Sequence, residues 1–262
     1  MLRKMANSDR EWERFGASDP YFGVLTNDRF KVAHIDQTAR DDFFSSGEAY
    51  VNQCLSVVKK ELDANFEPHR ALDFGCGVGR ITMPLARRID QVVGLDISES
   101  MLLEAKENCQ RSGLDNVDLL KSDDRLTNLK GSFDFIHSFI VFQHIPTGRG
   151  EAIVTEMISH LRDDGIGALH FTYASFAPAW KRTYRRIRAT VPFVHNFANL
   201  VQGRPFGYPL MQMNQYDINK LLLILQQNGC HRVHIRFSDR LSDHDGHLGV
   251  FLFFKKEATP IL

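Results

Sequence analysis

The sequence predicts an α/β fold: a doubly wound, mostly parallel sheet of seven strands ending in an antiparallel C-terminal hairpin, with an N-terminal helical cover and an inserted cap. Three observations carry it. From about residue 70, short apolar runs alternate with helical patterns, which implies parallel strands with helices on both faces. A glycine-rich turn, Gly75-Cys76-Gly77-Val78-Gly79, joins the first run to the first helical pattern. The last two apolar runs, 231–237 and 248–255, are joined only by a short polar loop, 238–247. No crossover helix fits there, so these strands pair antiparallel.

Taken in order, residues 70–74 read as a buried strand and 79–89 as a helix, with Pro84 tolerable only in its first turns. A second strand spans 91–95. Ser98 is placed to cap a helix running to Gln110, with Gly113 just beyond its end. The third strand is 117–121 and the fourth 133–142. A helix over 148–161 leads through the turn Asp163-Asp164-Gly165 into a fifth strand, 166–173. A helix over 216–227 stops at Asn228-Gly229, and the hairpin follows. Two pieces lie outside this core. Residues 1–69 hold an aromatic loop, 12–30, and a helix over 39–64. Residues 174–214 interrupt the core after the fifth strand. Structureless stretches of that length are uncommon and usually functional, so both pieces are expected to cover an active site. The division is a cover, 1–69, and a core, 70–262, carrying the cap insertion 174–214.

Composition narrows the class. The 32 Lys and Arg balance 32 Asp and Glu, which argues against a surface built as a whole to bind nucleic acid. Hydrophobic residues at 43% and charged residues at 24% are globular values and argue against disorder. No apolar run approaches the roughly 20 residues of a membrane span, and the polar start shows no signal peptide. Cys54, Cys76, Cys109 and Cys230 lie far apart without a CxxC pair. A disulfide framework or zinc site is not expected, and a reducing cytoplasm is the default.

The most informative stretch is Leu72-Asp73-Phe74-Gly75-Cys76-Gly77-Val78-Gly79-Arg80. Glycines between a strand and a helix let the backbone turn tightly and approach a ligand. Asp96 closes the second strand, where a carboxylate can accept hydrogen bonds from ribose hydroxyls. A dinucleotide fingerprint would need a third glycine where Arg80 stands. Asp73 beside the loop would repel a pyrophosphate and favour a cationic ligand. These residues resemble the class I S-adenosylmethionine-dependent methyltransferases, of the small-molecule type. Asp73 to Gly79 matches the first motif of that family, and Asp96 its ribose-binding acid, with Ile97 flanking the adenine. Asp123, or its neighbour Asp124, matches the acid near the adenine amino group. The resemblance implies a Rossmann-like fold with strand order 3-2-1-4-5-7-6. It also implies S-adenosylmethionine as cofactor, held by Asp73, Gly75, Cys76, Gly77, Gly79, Arg80, Asp96, Ile97 and Asp123 or Asp124.

The acceptor is expected at the end of the fourth strand, where Phe139, Gln143 and His144 fall, with Tyr173 ending the fifth. His144 is the candidate general base, since imidazole titrates near neutrality; the alternative is that it only lines the pocket. Tyr21 and Phe22 are candidates for closing over the cofactor, or for anchoring a loop. Between Gly165 and Tyr216 there is no acidic residue, against Lys181, Arg182, Arg185, Arg186, Arg188 and Arg204. A helix there would set Arg182 and Arg186 one turn apart, facing an anionic acceptor. The expectation is therefore methyl transfer to a small, anionic, sugar- or natural-product-like molecule, with oxygen slightly favoured. Nucleic acid is not expected as partner, and the oligomeric state is left open. The alternatives are a nucleic-acid or protein methyltransferase using the basic insertion, or a non-catalytic cofactor-binding module. No metal is expected, although Asp243-His244-Asp245-Gly246-His247 offers ligand types.

Overall fold

A computed structural model describes residues 8–178, 180, 183–184, 187–188, 191–201, 203, 205–238 and 246–258. Its centre is a seven-stranded sheet of order β3-β2-β1-β4-β5-β7-β6. The strands are β1 Arg70–Phe74, β2 Gln91–Asp96, β3 Val117–Lys121, β4 Phe133–Ser138, β5 Leu161–Ser175, β6 Arg232–Phe237 and β7 His247–Lys255. The first five run parallel, and β7 is antiparallel to both β5 and β6. This is the mixed sheet that the C-terminal loop length required.

Strand alternation divides the core between the two faces. Leu72, Phe74 and Ile136 pack beneath α6 (Thr147–Ser159) and α8 (Ile218–Gln227), whose Met157, Leu221 and Leu225 are buried. Ala71, Val92, Phe135 and Ile166 face α3 (Gln37–Glu61) and α4 (Thr82–Ala86). The remaining helices are α1 Ser8–Ser18, α2 Pro20–Val24, α5 Glu99–Arg111 and α7 Pro192–Val201. α5 begins at Ser98, whose hydroxyl accepts the amide of Met101 at 3.1 Å.

Several boundaries differ from the sequence reading, each for a local reason. The aromatic stretch 12–30 is helical rather than a loop: α1, α2 and a 3-10 turn, Asp28–Phe30. Phe15, Tyr21, Phe22 and Phe30 form a third core with Phe43 and Met101, so tertiary burial stabilises helices too short to stand alone. The helix after the glycine turn shrinks to Thr82–Ala86, because three glycines at positive φ extend the loop. β4 stops at Ser138 because Ile140 takes φ 61° and a 3-10 turn, Phe142–His144, follows. β5 begins earlier, at Leu161, and absorbs the expected turn; Asp164 takes φ 63° within it.

Candidate active site

The site lies at the carboxyl ends of β1, β2 and β4, where open α/β sheets bind ligands. Gly75, Gly77 and Gly79 have φ of 75°, 53° and 89°, a region that L side chains rarely adopt. A Cβ at Gly75 would stand 2.3 Å from Val141, and one at Gly77 2.7 Å from Val24. The glycines therefore serve both turn and clearance. Gly75 and Cys76 donate their amides to the carbonyl of Leu95 at 2.7 and 2.9 Å, tying the loop to β2. From the other side α3 presents Gly47, whose Cβ would meet the carbonyl oxygen of Arg80 at 2.1 Å. That approach accounts for a glycine inside a 25-residue helix despite its low propensity.

Asp96 is the electrostatic centre of the cleft. Its two oxygens accept the amides of Gly77 and Ser98 at 2.8 and 2.9 Å. Burial nonetheless raises its pKa to about 6. Each oxygen keeps a second lone pair, so the carboxylate can accept two more donors from a ligand. Ile97, Val141 and Ile145 supply apolar wall, and Asp123 stands at the same cleft. Its carboxylate takes the Thr127 hydroxyl and the amides of Arg125 and Thr127, which lower its pKa. Asp124 turns away to pair with Arg149, which also holds Asp9. Asp123 is thus the better placed of the two acids.

The cleft holds about 780 Å³ of empty space, its open mouth included. Among the described residues lining it, the Lys and Arg complement is Arg149 alone, already bound by two carboxylates. A pyrophosphate would lack a counter-charge. A nucleoside with hydroxyls for Asp96, an amino group for Asp123 and a cationic sulfonium fits the donor set.

The other expected cofactor residues act around the cleft rather than in its wall. Asp73 is buried, its oxygens held by His137 Nδ1 at 2.8 Å and the Thr82 hydroxyl at 2.7 Å. His137 Nε2 in turn meets the Tyr50 hydroxyl at 2.9 Å. Arg80 is buried beside Phe43 and Phe139, and burial lowers its pKa to about 10. Cys76 packs its thiol against Gly94, and Gly79 bonds its amide to the carbonyl of Cys76 at 3.0 Å.

On the acceptor side, Phe139 and His144 both line the cleft. Phe139 stacks on Tyr50 at 4.2 Å between centroids, 8° from parallel. His144 Nδ1 lies 2.7 Å from the carbonyl oxygen of Gln212, which places the proton on Nδ1, and its Nε2 accepts the side-chain amide of Gln143 at 3.3 Å. Burial lowers its pKa to about 4. Gln143 does not line the cleft. Its amide oxygen accepts the Thr172 hydroxyl at 3.1 Å and its backbone carbonyl accepts the Asn214 amide at 2.6 Å. Tyr173 packs against Phe237. Tyr21 and Phe22 are buried in the third core instead of closing over the cleft. The Tyr21 hydroxyl donates to Glu104 at 2.6 Å and receives Arg40 at 2.7 Å. One turn of α2 sends these two rings inward, so the next residues, Gly23 and Val24, reach the wall. Arg182 and Arg186 lie outside the described residues, as do Lys181, Arg185, Arg204 and Asp243 to Asp245. Among the described residues no group of acidic, His or Cys side chains has metal-binding geometry.

Sequence reasoning missed Trp12, whose ring lies 4.8 Å from His144 and lines the cleft. The helical spacing of Trp12, Phe15 and Gly16 was the available signal. It also missed the Asp73–His137–Tyr50 chain, which joins three elements far apart in sequence.

Comparison with known proteins bears on these features. Residues 71–165 match the family described as "Methyltransferase domain". Among curated proteins, the 23S rRNA (uracil(1939)-C(5))-methyltransferase RlmD of Stenotrophomonas maltophilia is 42% identical over 101 residues, 38% of this chain and 23% of that protein. The same enzyme of Alkalilimnicola ehrlichii is 38% identical over 80 residues, 30% of this chain and 18% of that protein. The chain thus spans about a fifth of the length of these relatives. Among solved structures, magnesium protoporphyrin IX methyltransferase (ChlM) from Synechocystis PCC 6803, with bound SAH, superposes with a TM-score of 0.63 at 19% identity. That match covers 96% of this chain and 100% of the other. The N-methyltransferase NodS from Bradyrhizobium japonicum gives 0.56 at 14% identity, over 95% and 98%. These structures share the fold. The curated relatives overturn one expectation: a small-molecule partner to the exclusion of nucleic acid does not stand, because proteins sharing this segment carry the names of ribosomal RNA methyltransferases. The zero net charge misled because it averages over the chain, whereas recognition depends on local surfaces.

Proposed function

Because residues 71–165 belong to the class I S-adenosylmethionine-dependent methyltransferases, we propose that the whole chain transfers a methyl group to an oxygen or nitrogen of an acceptor whose flat, apolar-faced reacting group enters beside Phe139. The observation that carries this reading is the convergence of the glycine loop, Asp96, Asp123 and His144 on one cleft. When bound, S-adenosylmethionine supplies a methyl already activated on a sulfonium. The chain's own part is to hold, orient and exclude water. Asp96 takes the ribose hydroxyls, Asp123 the adenine amino group, and Ile97 with Val141 the base faces. Phe139, braced on Tyr50, and Trp12, against His144, narrow the acceptor's approach.

His144 Nε2, on giving up the 3.3 Å bond from the Gln143 amide, takes the proton that a hydroxyl sheds once methylated. A pKa of about 4 makes it a weak base, but a methylated hydroxyl is far more acidic still, so a weak base suffices late in the reaction. A ribosomal RNA acceptor is the second reading, favoured by the names of the curated relatives. Methylation at a pyrimidine carbon needs a thiolate to activate the ring. All four cysteines are buried, and burial holds their thiols above the ordinary value, Cys54 and Cys230 at about 12. An RNA acceptor would therefore react here at a heteroatom. Buried free thiols also support a reducing, cytoplasmic setting. Among the described residues no helix is long and apolar enough to cross a membrane. The test is incubation with methyl-labelled cofactor and, separately, metabolite extract and ribosomal RNA, with products read by mass spectrometry. Labelled heteroatom products support the reading; failure to bind S-adenosylhomocysteine would sink it.

A further inference from the structure

Helix α7 is turned inside out. Its polar side chains face the protein: His195 Nε2 donates to the Tyr208 carbonyl at 2.8 Å and Asn199 Nδ2 to the same oxygen at 3.1 Å. Arg188 Nη2 donates to Asn199 Oδ1 at 3.1 Å, and Asn199 is wholly buried. Four large apolar side chains point outward. Phe193, Phe197, Leu200 and Val201 are 81, 69, 53 and 73% exposed, and their spacing of four, seven and eight residues places them on one face. Val191 and Phe206, which flank the helix in sequence, are exposed as well. The resulting patch is on the order of several hundred Å², more than a monomeric soluble protein exposes without an interaction to serve. The ordered polar side fixes this orientation, so a simple rotation of the helix would bury Phe193 at the cost of unpairing Asn199.

Charge selects the partner. From residue 166 to 215 the sequence holds six Lys and Arg and no Asp or Glu; with Arg188 turned inward to Asn199, five remain for a partner. A second copy of this chain would bring two acid-free, basic segments together, which repel. An anionic surface is complemented instead. Leu200, Val201 and Val191 have nothing to stack on or bond in RNA, whereas acyl chains accept them, and aromatic rings favour the headgroup boundary. We propose that α7 docks the chain on an anionic lipid surface, with its apolar face at the acyl boundary and the acid-free, basic stretch of sequence that flanks it supplying the charge complement. The segment leads directly to the cleft. Tyr208 packs edge-on against Phe15, and the carbonyl of Gln212 holds His144. Docking would therefore set the mouth of the acceptor site at the membrane surface. The proposal does not depend on methyl transfer.

The test is co-sedimentation of the full chain with vesicles of phosphatidylcholine alone and with phosphatidylglycerol in equal parts. Binding to the anionic vesicles, weakened by salt, is expected. The double substitution Phe193→Asp with Phe197→Asp should lower partitioning roughly tenfold or more. Both residues are exposed, so melting temperature and S-adenosylhomocysteine affinity should stay at wild-type values. Wild-type protein left in the supernatant with anionic vesicles overturns the proposal, as does a double variant that sediments unchanged. Ribosomal RNA binding lost in that variant, with no vesicle binding in either protein, overturns it in favour of nucleic acid.

Discussion

Protonating Asp96 should release the cofactor. The carboxylate holds the amides of Gly77 and Ser98, and ribose hydroxyls would donate to its remaining lone pairs. Its pKa in the free protein is about 6, raised by burial. At pH 8 it is ionised; at pH 5 about one-tenth remains so, and S-adenosylhomocysteine affinity should fall about tenfold. Asp96→Asn removes the charge altogether. One face of the amide then presents an NH₂ to a backbone N–H, donor against donor. Losing charge-assisted bonds to the ribose costs about 2–3 kcal/mol, a drop of roughly 30- to 150-fold at pH 8. The variant should also lose the pH dependence, because the group that titrates is gone. Isothermal calorimetry of both proteins at pH 5 and pH 8 measures this. A wild-type affinity equal at the two pH values, or an Asn variant that keeps the wild-type slope, would refute the assignment of Asp96 to the ribose.

Three further outcomes follow from the same geometry. His144→Ala should lower turnover about 10²-fold or more if Nε2 takes the proton, while S-adenosylhomocysteine affinity changes little; steady-state kinetics on an identified acceptor, beside calorimetry, separates the two effects. Gly75→Ala should destabilise the fold by roughly 1–2 kcal/mol, from its φ of 75° alone, and lower cofactor affinity further by pushing against Val141, as thermal melts with and without ligand would show. Acid should weaken the fold. Burial holds His144 and His170 neutral, at about 4 and about 3, so their stabilisation is complete above the unfolded value near 6.5 and is lost as pH falls toward those values. Each loses about 2 kcal/mol by pH 5. Asp96 works in the opposite sense, since its raised pKa makes the ionised form costly, and it offsets part of the loss. Urea titrations at pH 7 and pH 5 should therefore show a net decrease at the lower pH.

The sheet was legible because each strand carries its own signal. Leu72-Asp73-Phe74 before glycine is a buried strand and a ligand turn at once, and the short 238–247 loop excludes a crossover. Boundaries were legible only where a residue acts alone, as Ser98 does in capping α5. They failed where burial decides. Trp12, Phe15 and Tyr21 are helical because they pack on Phe43 and Met101, contacts that no local pattern contains. The fourth strand was read too long because Phe142 is as apolar as a strand residue. The backbone turns at Ile140 regardless, and Phe142 instead stacks on Phe74 and Phe171.

The site divides along the same line. Glycine loop, Asp96 and Asp123 each sit at the end of one strand, so their roles follow from position in a local motif. Of the two roles left open for Tyr21 and Phe22, packing decides for the anchor: both rings join Phe43 and Met101, while Gly23 and Val24 line the cleft. Asp73 illustrates the harder case. Its place in the motif suggests a ligand contact, yet both oxygens are engaged from below by His137 and Thr82, and His137 reaches on to Tyr50, which braces Phe139. The acid that begins the cofactor motif thus bears on the wall of the acceptor pocket through side chains 64 and 23 residues away from it. A substitution such as Tyr50→Phe keeps the stacking and removes the bond to His137. If the chain positions Phe139, that change should raise the KM for acceptor while leaving cofactor affinity intact. Equal loss of both would mean that the chain serves the glycine loop alone.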